Sequence, residues 1–267
     1  MNKLQKIQKA LLLLLKKPSL INLILNSDYK WEGKLKKNSQ PKTLPIIKIN
    51  DLITLNNEVL NTVTFLGGGS MPTDILLLKG LAKRFKNCSY FEIGTWRGES
   101  VINVADVAKE CYTLNLSKEE ILNNNLSIKY ANLHGVLSKK NKGIKHLYGN
   151  SLNFDFKKLN KKFDLVFIDG NHTYEYIKND TKNIFKHLIH ENSIVVWHDY
   201  AYHPEMIRPE VLCGILDGIP NQNKNNLYHV SNTMCAIYIN ENLKATSFES
   251  PVKPILKFKV QIETSKF

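Results

Sequence analysis

From residue 72 onward the chain alternates short apolar runs with amphipathic stretches, and the alternation is regular enough to place its elements. SYFEIG, CYTLNL, IKHLYGNS, FDLVFIDG and SIVVWHD read as strands, and ILLLKGLAKRF, SVINVADVAKE, SKEEILNNN and YEYIKNDTKNIFKHLI read as helices. Strands that alternate with helices are joined by right-handed crossovers, which makes their sheet parallel and covers both its faces. LVFI and SIVVW are apolar throughout rather than alternating, as central strands buried on both sides must be. The expected fold is therefore α/β, with a doubly wound, mostly parallel sheet. Two late segments, LYHVSNTMCAIYIN and ILKFKVQIET, are strand-like with no helix between them and predict an antiparallel edge.

Residues 1–60 follow a different pattern. MNKLQKIQKALLLLLKKPSLINLILNSD places basic residues before an apolar run, but the run from Ala10 to Leu15 is shorter than the core of a secretory signal. Lys16, Lys17 and Pro18 follow at once, no small-x-small cleavage site appears, and the run is too short to span a bilayer. Two short amphipathic helices broken at Pro18 fit better. They could cap the domain, form a contact in a homo-oligomer, or rest on a membrane surface. Residues 28–60 read as an irregular lysine- and asparagine-rich connection with Pro41 and Pro45. Phe65 to Asp74 is a glycine loop ending in a helix start, Pro72-Thr73-Asp74. The expected division is a helical extension and connection over 1–60, and one ligand-binding domain over 61–267.

Composition changes this picture little. The chain has 267 residues, 43% hydrophobic and 23% charged, which is ordinary for a globular protein with a proper core. Its net charge of +13 raises nucleic acid or an anionic membrane as partners. Lysine is spread along the whole chain, however, with no arginine-rich stripe and no basic run interleaved with aromatics, so no nucleic acid partner is expected. Cys88, Cys111, Cys213 and Cys235 form no CxxC pair and mostly lie in apolar runs. They read as reduced core thiols of a cytoplasmic protein.

The richest chemistry lies in YFEIGTWRGES, residues 90–100. It is a strand, a glycine turn and a helix start, an arrangement that lets backbone approach a nucleotide-type cofactor. A dinucleotide fingerprint needs a third glycine and a bare helix N-terminus; here Trp96 and Arg97 separate Gly94 from Gly98, and Glu92 and Glu99 stand beside the turn. Acids there suit a cationic ligand, so the turn points to S-adenosylmethionine before NAD. Asn115 ends the next strand, where a doubly wound fold usually sets an acid against ribose hydroxyls. Asn150 and Ser151 end the one after, within reach of an adenine ring. FIDGNHTY and IVVWHDY then bring Asp169, His172, His198 and Asp199 to neighbouring strand ends. Asp169-Gly170 is also ordinary turn chemistry, but two strand-end acids with two histidines favour a site.

In the order FEIGTWRGES, TLNLS, GNS, FIDGNHTYEYIKND, IVVWHDY, residues 65–240 resemble the class I S-adenosylmethionine-dependent methyltransferases. The IDG-x-H-x-Y loop and the strand ending in HDY are most similar to the macrocin- and catechol-type O-methyltransferase branch. The resemblance implies a Rossmann-like sheet of seven strands with the last antiparallel. It implies that Glu92, Gly94, Thr95, Gly98 and Ser100 line the methionine and sugar end of the cofactor, with Asn115, Asn150, Ser151 and Asp169 completing its site. Asn115 departs from the family's usual acid. Metal-dependent relatives hold magnesium through acids matching Asp169 and Asp199 plus a neighbouring acid or amide, which here is His198 or Tyr200. The expected activity is O-methylation of a small molecule or sugar, with Asp169, His172, His198 and Asp199 as the reacting centre. The alternatives are an NAD-linked oxidoreductase, or a binding protein without activity on a Rossmann-like scaffold.

Overall fold

The structure, a computed structural model, describes residues 1–21 and 28–266. It begins with helix α1 (Lys3–Lys16), capped by Asn2, whose side chain accepts from the Gln5 amide. Pro18 opens a single 3-10 turn, Pro18–Leu20. The second helix expected beyond it falls largely on residues 22–27, outside the described residues.

The elements that follow are α2 (Tyr29–Lys37), β1 (Ile46–Ile47), α3 (Ile49–Leu52), α4 (Pro72–Ala82), β2 (Ser89–Ile93), α5 (Glu99–Val104) and β3 (Glu110–Asn115). Next come α6 (Lys118–Asn123), α7 (Ile128–Leu133), β4 (Ile144–Tyr148), β5 (Phe163–Ile168) and α8 (Tyr174–Asn183), then β6 (Ile189–Trp197). A small β7–β8 hairpin (Ala201–His203, Met206–Ile207), α9 (Pro209–Gly218), β9 (Leu227–Val230) and β10 (Ala236–Tyr238) complete the chain. One eight-stranded sheet runs in the order β1-β9-β10-β6-β5-β2-β3-β4. Its neighbours pair in parallel except at β10, which is antiparallel to both β6 and β9.

This is the expected Rossmann-like doubly wound sheet, with two differences. The antiparallel strand lies inside the sheet, flanked by β6 and β9, instead of forming its edge. The other concerns the segment expected to be an irregular connection, which supplies an eighth strand. Ile46 and Ile47 pair with His229 and Val230 of β9. Leu35, Leu44, Ile47 and Ile49 are buried, and Trp31 of α2 stacks on Tyr174 with centroids 4.9 Å apart. The lysine-rich composition had masked a sparse but sufficient set of apolar anchors.

The late run ILKFKVQIET is a correction. Residues 251–266 carry no strand, and Ile255, Phe258, Val260 and Ile262 are exposed. The alternating pattern is present, but the outer edge of β1 takes an antiparallel bridge from Thr246 to Ile46, and the run that follows pairs with no strand.

Residue parity within the strands divides the core and positions the site. One face carries Tyr90, Cys111, Leu165, Phe167, Ile194 and Val196 against Leu77, Leu78 and Leu81 of α4 and Val101 and Val104 of α5. The other carries Phe91, Ile93, Val166, Ile168, Val195 and Trp197 against α8 and α9. Side chains alternate along a strand, so the residues that follow β5 and β6, Asp169 and His198, share the face of Phe167 and Val196. They emerge on the α4 side. Among the described residues no helix is long and apolar enough to cross a membrane.

Candidate functional site

The sheet's hydrogen bonding runs one residue past its strands and sets the rim. The amide of Gly94 donates to the Leu114 carbonyl at 2.9 Å, Asp169 to Ile93 at 2.8 Å, and His198 to Ile168 at 3.0 Å. Gly149 does the same to Asn115 at 2.8 Å. The strand ends that the sequence singled out thus form a continuous row at the carboxyl edge, where open α/β sheets bind ligands.

His198 is the centre of this row. Its Nε2 lies 3.1 Å from Asp74 Oδ2, and its Nδ1 lies 3.0 Å from Asp169 Oδ1 and 3.5 Å from Asp199 Oδ2. Its side chain is only 6% exposed, and Asp74 is fully buried. Burial alone would push the imidazole pKa down, but Asp169, Asp199 and Asp74 outweigh it and hold the ring well above its ordinary value, as an imidazolium. Burial pushes the Asp169 carboxyl up, and the His198 charge only partly offsets that. The balance is opposite at Asp199: burial is outweighed by His198 and then Arg208, and the carboxyl lies below its ordinary range. Arg208 Nη1 approaches Asp199 Oδ1 to 3.4 Å. Asp199 adopts a left-handed backbone, φ 56°, which turns the chain sharply after β6. His172 stands at the mouth, 54% exposed, with Nδ1 3.6 Å from Asp199 Oδ2.

Asp169, His172, His198 and Asp199 are therefore brought together as expected. Asp74 is the member that sequence reading missed as a site residue. It appeared only as a helix start, and it does accept the Met71 amide at 2.8 Å, yet the same carboxylate reaches His198. Its other oxygen accepts the Met234 amide at 2.9 Å. No local signal joins residues so far apart in sequence. Arg208 was missed for the same reason.

The glycine turn is built differently from the expectation. Glu92 does not reach the rim. It is fully buried on β2 and accepts from Tyr90 Oη, Ser100 Oγ and Thr113 Oγ1, each at 2.8 Å. Burial pushes its carboxyl up to about 8 despite these hydrogen bonds from Thr113, Tyr90 and Ser100. Thr95 is buried too, its hydroxyl 2.5 Å from that of Thr113. Glu92, Thr95 and Ser100 thus form a buried network beneath the turn. Gly98 packs against Ser138, where a Cβ would come within 2.3 Å of the hydroxyl. Glu99 bonds the amide of Thr64, and Arg97 Nη1 donates to the Gly67 carbonyl at 2.8 Å, so the glycine loop folds back over the turn.

The positions assigned to ribose and adenine are partly occupied by protein contacts. Asn115 Nδ2 lies 2.7 Å from His134 Nδ1, and the His134 ring stands edge-on to Trp96 with centroids 5.0 Å apart. Tyr130 completes this aromatic group, 4.8 Å from Trp96. With Nδ1 accepting from Asn115, the proton of His134 sits on Nε2, a buried atom with no partner among the described residues. Asn150 donates to Tyr176 Oη at 3.2 Å and takes the Leu152 amide at 3.0 Å. The Ser151 carbonyl accepts from Asn179 at 3.0 Å. Asn150 and Ser151 therefore tie the end of β4 to α8.

A methyltransferase-domain family model matches residues 91–200. No curated protein matches the sequence. Among solved structures, the chain is similar to the S-adenosylhomocysteine-bound methyltransferase PaMTH1 of Podospora anserina, at 20% identity over 65% of this chain and 81% of that one, TM-score 0.47. It is similar to the O-methyltransferase TomG of Streptomyces achromogenes at 16% identity, over 65% and 82%, TM-score 0.44. It is also similar to the amino pentose methyltransferase CalS10 of Micromonospora echinaspora at 16% identity, over 50% of each chain, TM-score 0.35. The matched segment contains the rim from Gly94 to Asp199, whereas Asp74 and Arg208 come from flanking elements.

Two outcomes follow from this geometry. A Cβ on Gly94, which sits at φ 97°, would lie 2.0 Å from the Asp169 carbonyl oxygen. Gly94→Ala should therefore pry β2 from β5 and lower the melting temperature, so a loss of ligand binding in that variant reports on the sheet as well as the pocket. An unchanged melt would show that the strands tolerate the added methyl. Glu92 is raised from its ordinary 4.5 to about 8, so its contribution to stability is fully present below 4.5 and lost as pH rises through about 8. In denaturant titrations across that window, Glu92→Gln should flatten the decline relative to the parent. Parallel curves would contradict it.

Proposed function

We propose that this chain transfers a methyl group from S-adenosylmethionine to a hydroxyl of a small molecule or sugar. The observation that carries the reading is the row formed by Gly94, Asp169 and His198 inside the methyltransferase domain, with Asp199 and the exposed His172 at its mouth. The rim offers polar, half-buried positions at Gly94, Asn115, Asn150 and Asp169. Beside Asn115, the buried Nε2–H of His134 has no acceptor among the described residues, as a group awaiting a ligand oxygen or nitrogen would. Gly94, Asn115 and Asp169 would hold the cofactor, with Glu92, Thr95, Gly98 and Ser100 supporting the turn from below. When bound, the cofactor supplies a methyl group already activated on a sulfonium.

The protein's part is then alignment and proton removal. Both nitrogens of His198 face carboxylates and the ring carries a proton, so it serves as a positioning residue that fixes Asp169 and Asp199. His172 is the histidine open to an acceptor, and Asp199, 3.6 Å from its Nδ1, is placed to orient the ring as it takes the hydroxyl proton. Asp169, His198 and Asp199 each offer an atom within 4.8 Å of the others. Magnesium prefers oxygen ligands, whereas the place between these two acids is taken by an imidazolium that already relieves their repulsion. The donor set fits a protonated histidine better than a metal, and no step is assigned to one. The free, buried cysteines suit a reducing compartment, in keeping with a cytoplasmic location.

Titration calorimetry on the whole chain tests the cofactor assignment: S-adenosylhomocysteine should bind and NAD should not, and the reverse would overturn the reading. With an acceptor found by metabolite screening, His172→Ala should lower turnover by roughly 10²–10⁴-fold. Chelators should leave turnover unchanged, and a dependence on magnesium would sink the metal-free mechanism.

A further inference from the structure

Among the described residues, helix α1 contributes no buried side chain to the core or the rim. None of its residues is buried, so it does not cap the domain. Leu4, Ile7, Leu11 and Leu15 are 65%, 55%, 56% and 78% exposed, and their spacing puts them on one face of the helix. Lys6, Lys9 and Lys16 lie on the opposite side, Lys17 follows directly, and the chain has no acidic residue before Asp28. Leu12 and Leu13 are exposed as well, and a protein gains nothing from holding six large aliphatic side chains in water, so the face of Leu4, Ile7, Leu11 and Leu15 belongs against something apolar.

Three physical facts select the occupant. The helix has 14 residues and is about 21 Å long, short of the roughly 30 Å hydrocarbon core, so it lies along a bilayer and does not cross it. All of its charged side chains are cationic, which complements anionic headgroups. Pairing with a second copy of the helix would cover the apolar face but leave its lysines unpartnered, because the segment has no glutamate or aspartate to balance them. We infer that α1 docks the protein on an anionic phospholipid surface, burying Leu4, Ile7, Leu11 and Leu15 at the acyl boundary while its lysines meet the headgroups. The inference stands apart from the chemistry of the rim, and cofactor binding is measured separately from it.

The experiment is flotation of the whole chain with vesicles of phosphatidylcholine alone and of phosphatidylcholine mixed with phosphatidylglycerol. The protein should float with the mixed vesicles, stay behind with the neutral ones, and be released by high salt. Leu11→Glu with Leu15→Glu should abolish flotation while leaving the melting temperature and S-adenosylhomocysteine binding unchanged, since neither side chain is buried. Lys6→Gln and Lys9→Gln should each weaken binding about fivefold. Flotation that survives the double glutamate variant overturns the proposal. So does a parent that ignores anionic vesicles yet is a dimer by light scattering and becomes monomeric in that variant, which would assign the face to a second copy.

Discussion

The site rests on a single electrostatic constraint: carboxylates from α4, β5 and β6 converge on one buried imidazole. Removing such groups from water is costly, and the cost is met only when charge and hydrogen bonding balance inside. Asp74 meets this by accepting from Met71, Met234 and His198, so its two oxygens are fully engaged. His198, charged between them, converts mutual repulsion into a cross-link among three elements. Asp169 and Asp199 are then presented at the rim with fixed spacing and different electrostatic settings, one raised and the other lowered.

A second buried carboxylate solves the same problem with hydroxyls. Glu92 sits beneath the turn among Tyr90, Ser100 and Thr113, without a cation, and its elevated carboxyl shows that three hydrogen bonds do not repay full burial. Asp74 and Glu92 are thus both fully buried, one bonded to a histidine ring and two backbone amides, the other to three hydroxyls. The glycine turn above Glu92 is held by packing against Ser138 and Asp169 more than by any exposed charge.

How much of this could be read from the chain depends on the range of the interaction. Strand ends were legible because apolar runs such as LVFI stop at a polar residue, and that stop is where Asp169 and Asp199 emerge. The methyltransferase resemblance drawn from those stops agrees with the family match over residues 91–200. The depth of Glu92 was not legible, because a strand residue's face is set by neighbours and Glu92 follows the buried parity of Tyr90. Nor was the partnership of Asp74 with His198, which depends on how α4 lies across the sheet. At β1 a pair of isoleucines among lysines gave too short an apolar signal, and ILKFKVQIET gave a good one in a segment that joins no strand.

The wide sequence separation between Asp74 and His198 also constrains the order in which the protein can assemble. Closing a loop of that length is entropically demanding and comes after local pairing. Pairing of β2, β5 and β6 alone would gather Asp169, His198 and Asp199 without the fourth group that completes their charge balance. Only when α4 docks across that face does His198 gain its second partner. The rim is therefore complete only once α4 and the end of β6 have met, and a chain caught short of that contact would keep its sheet while leaving its acids loosely held.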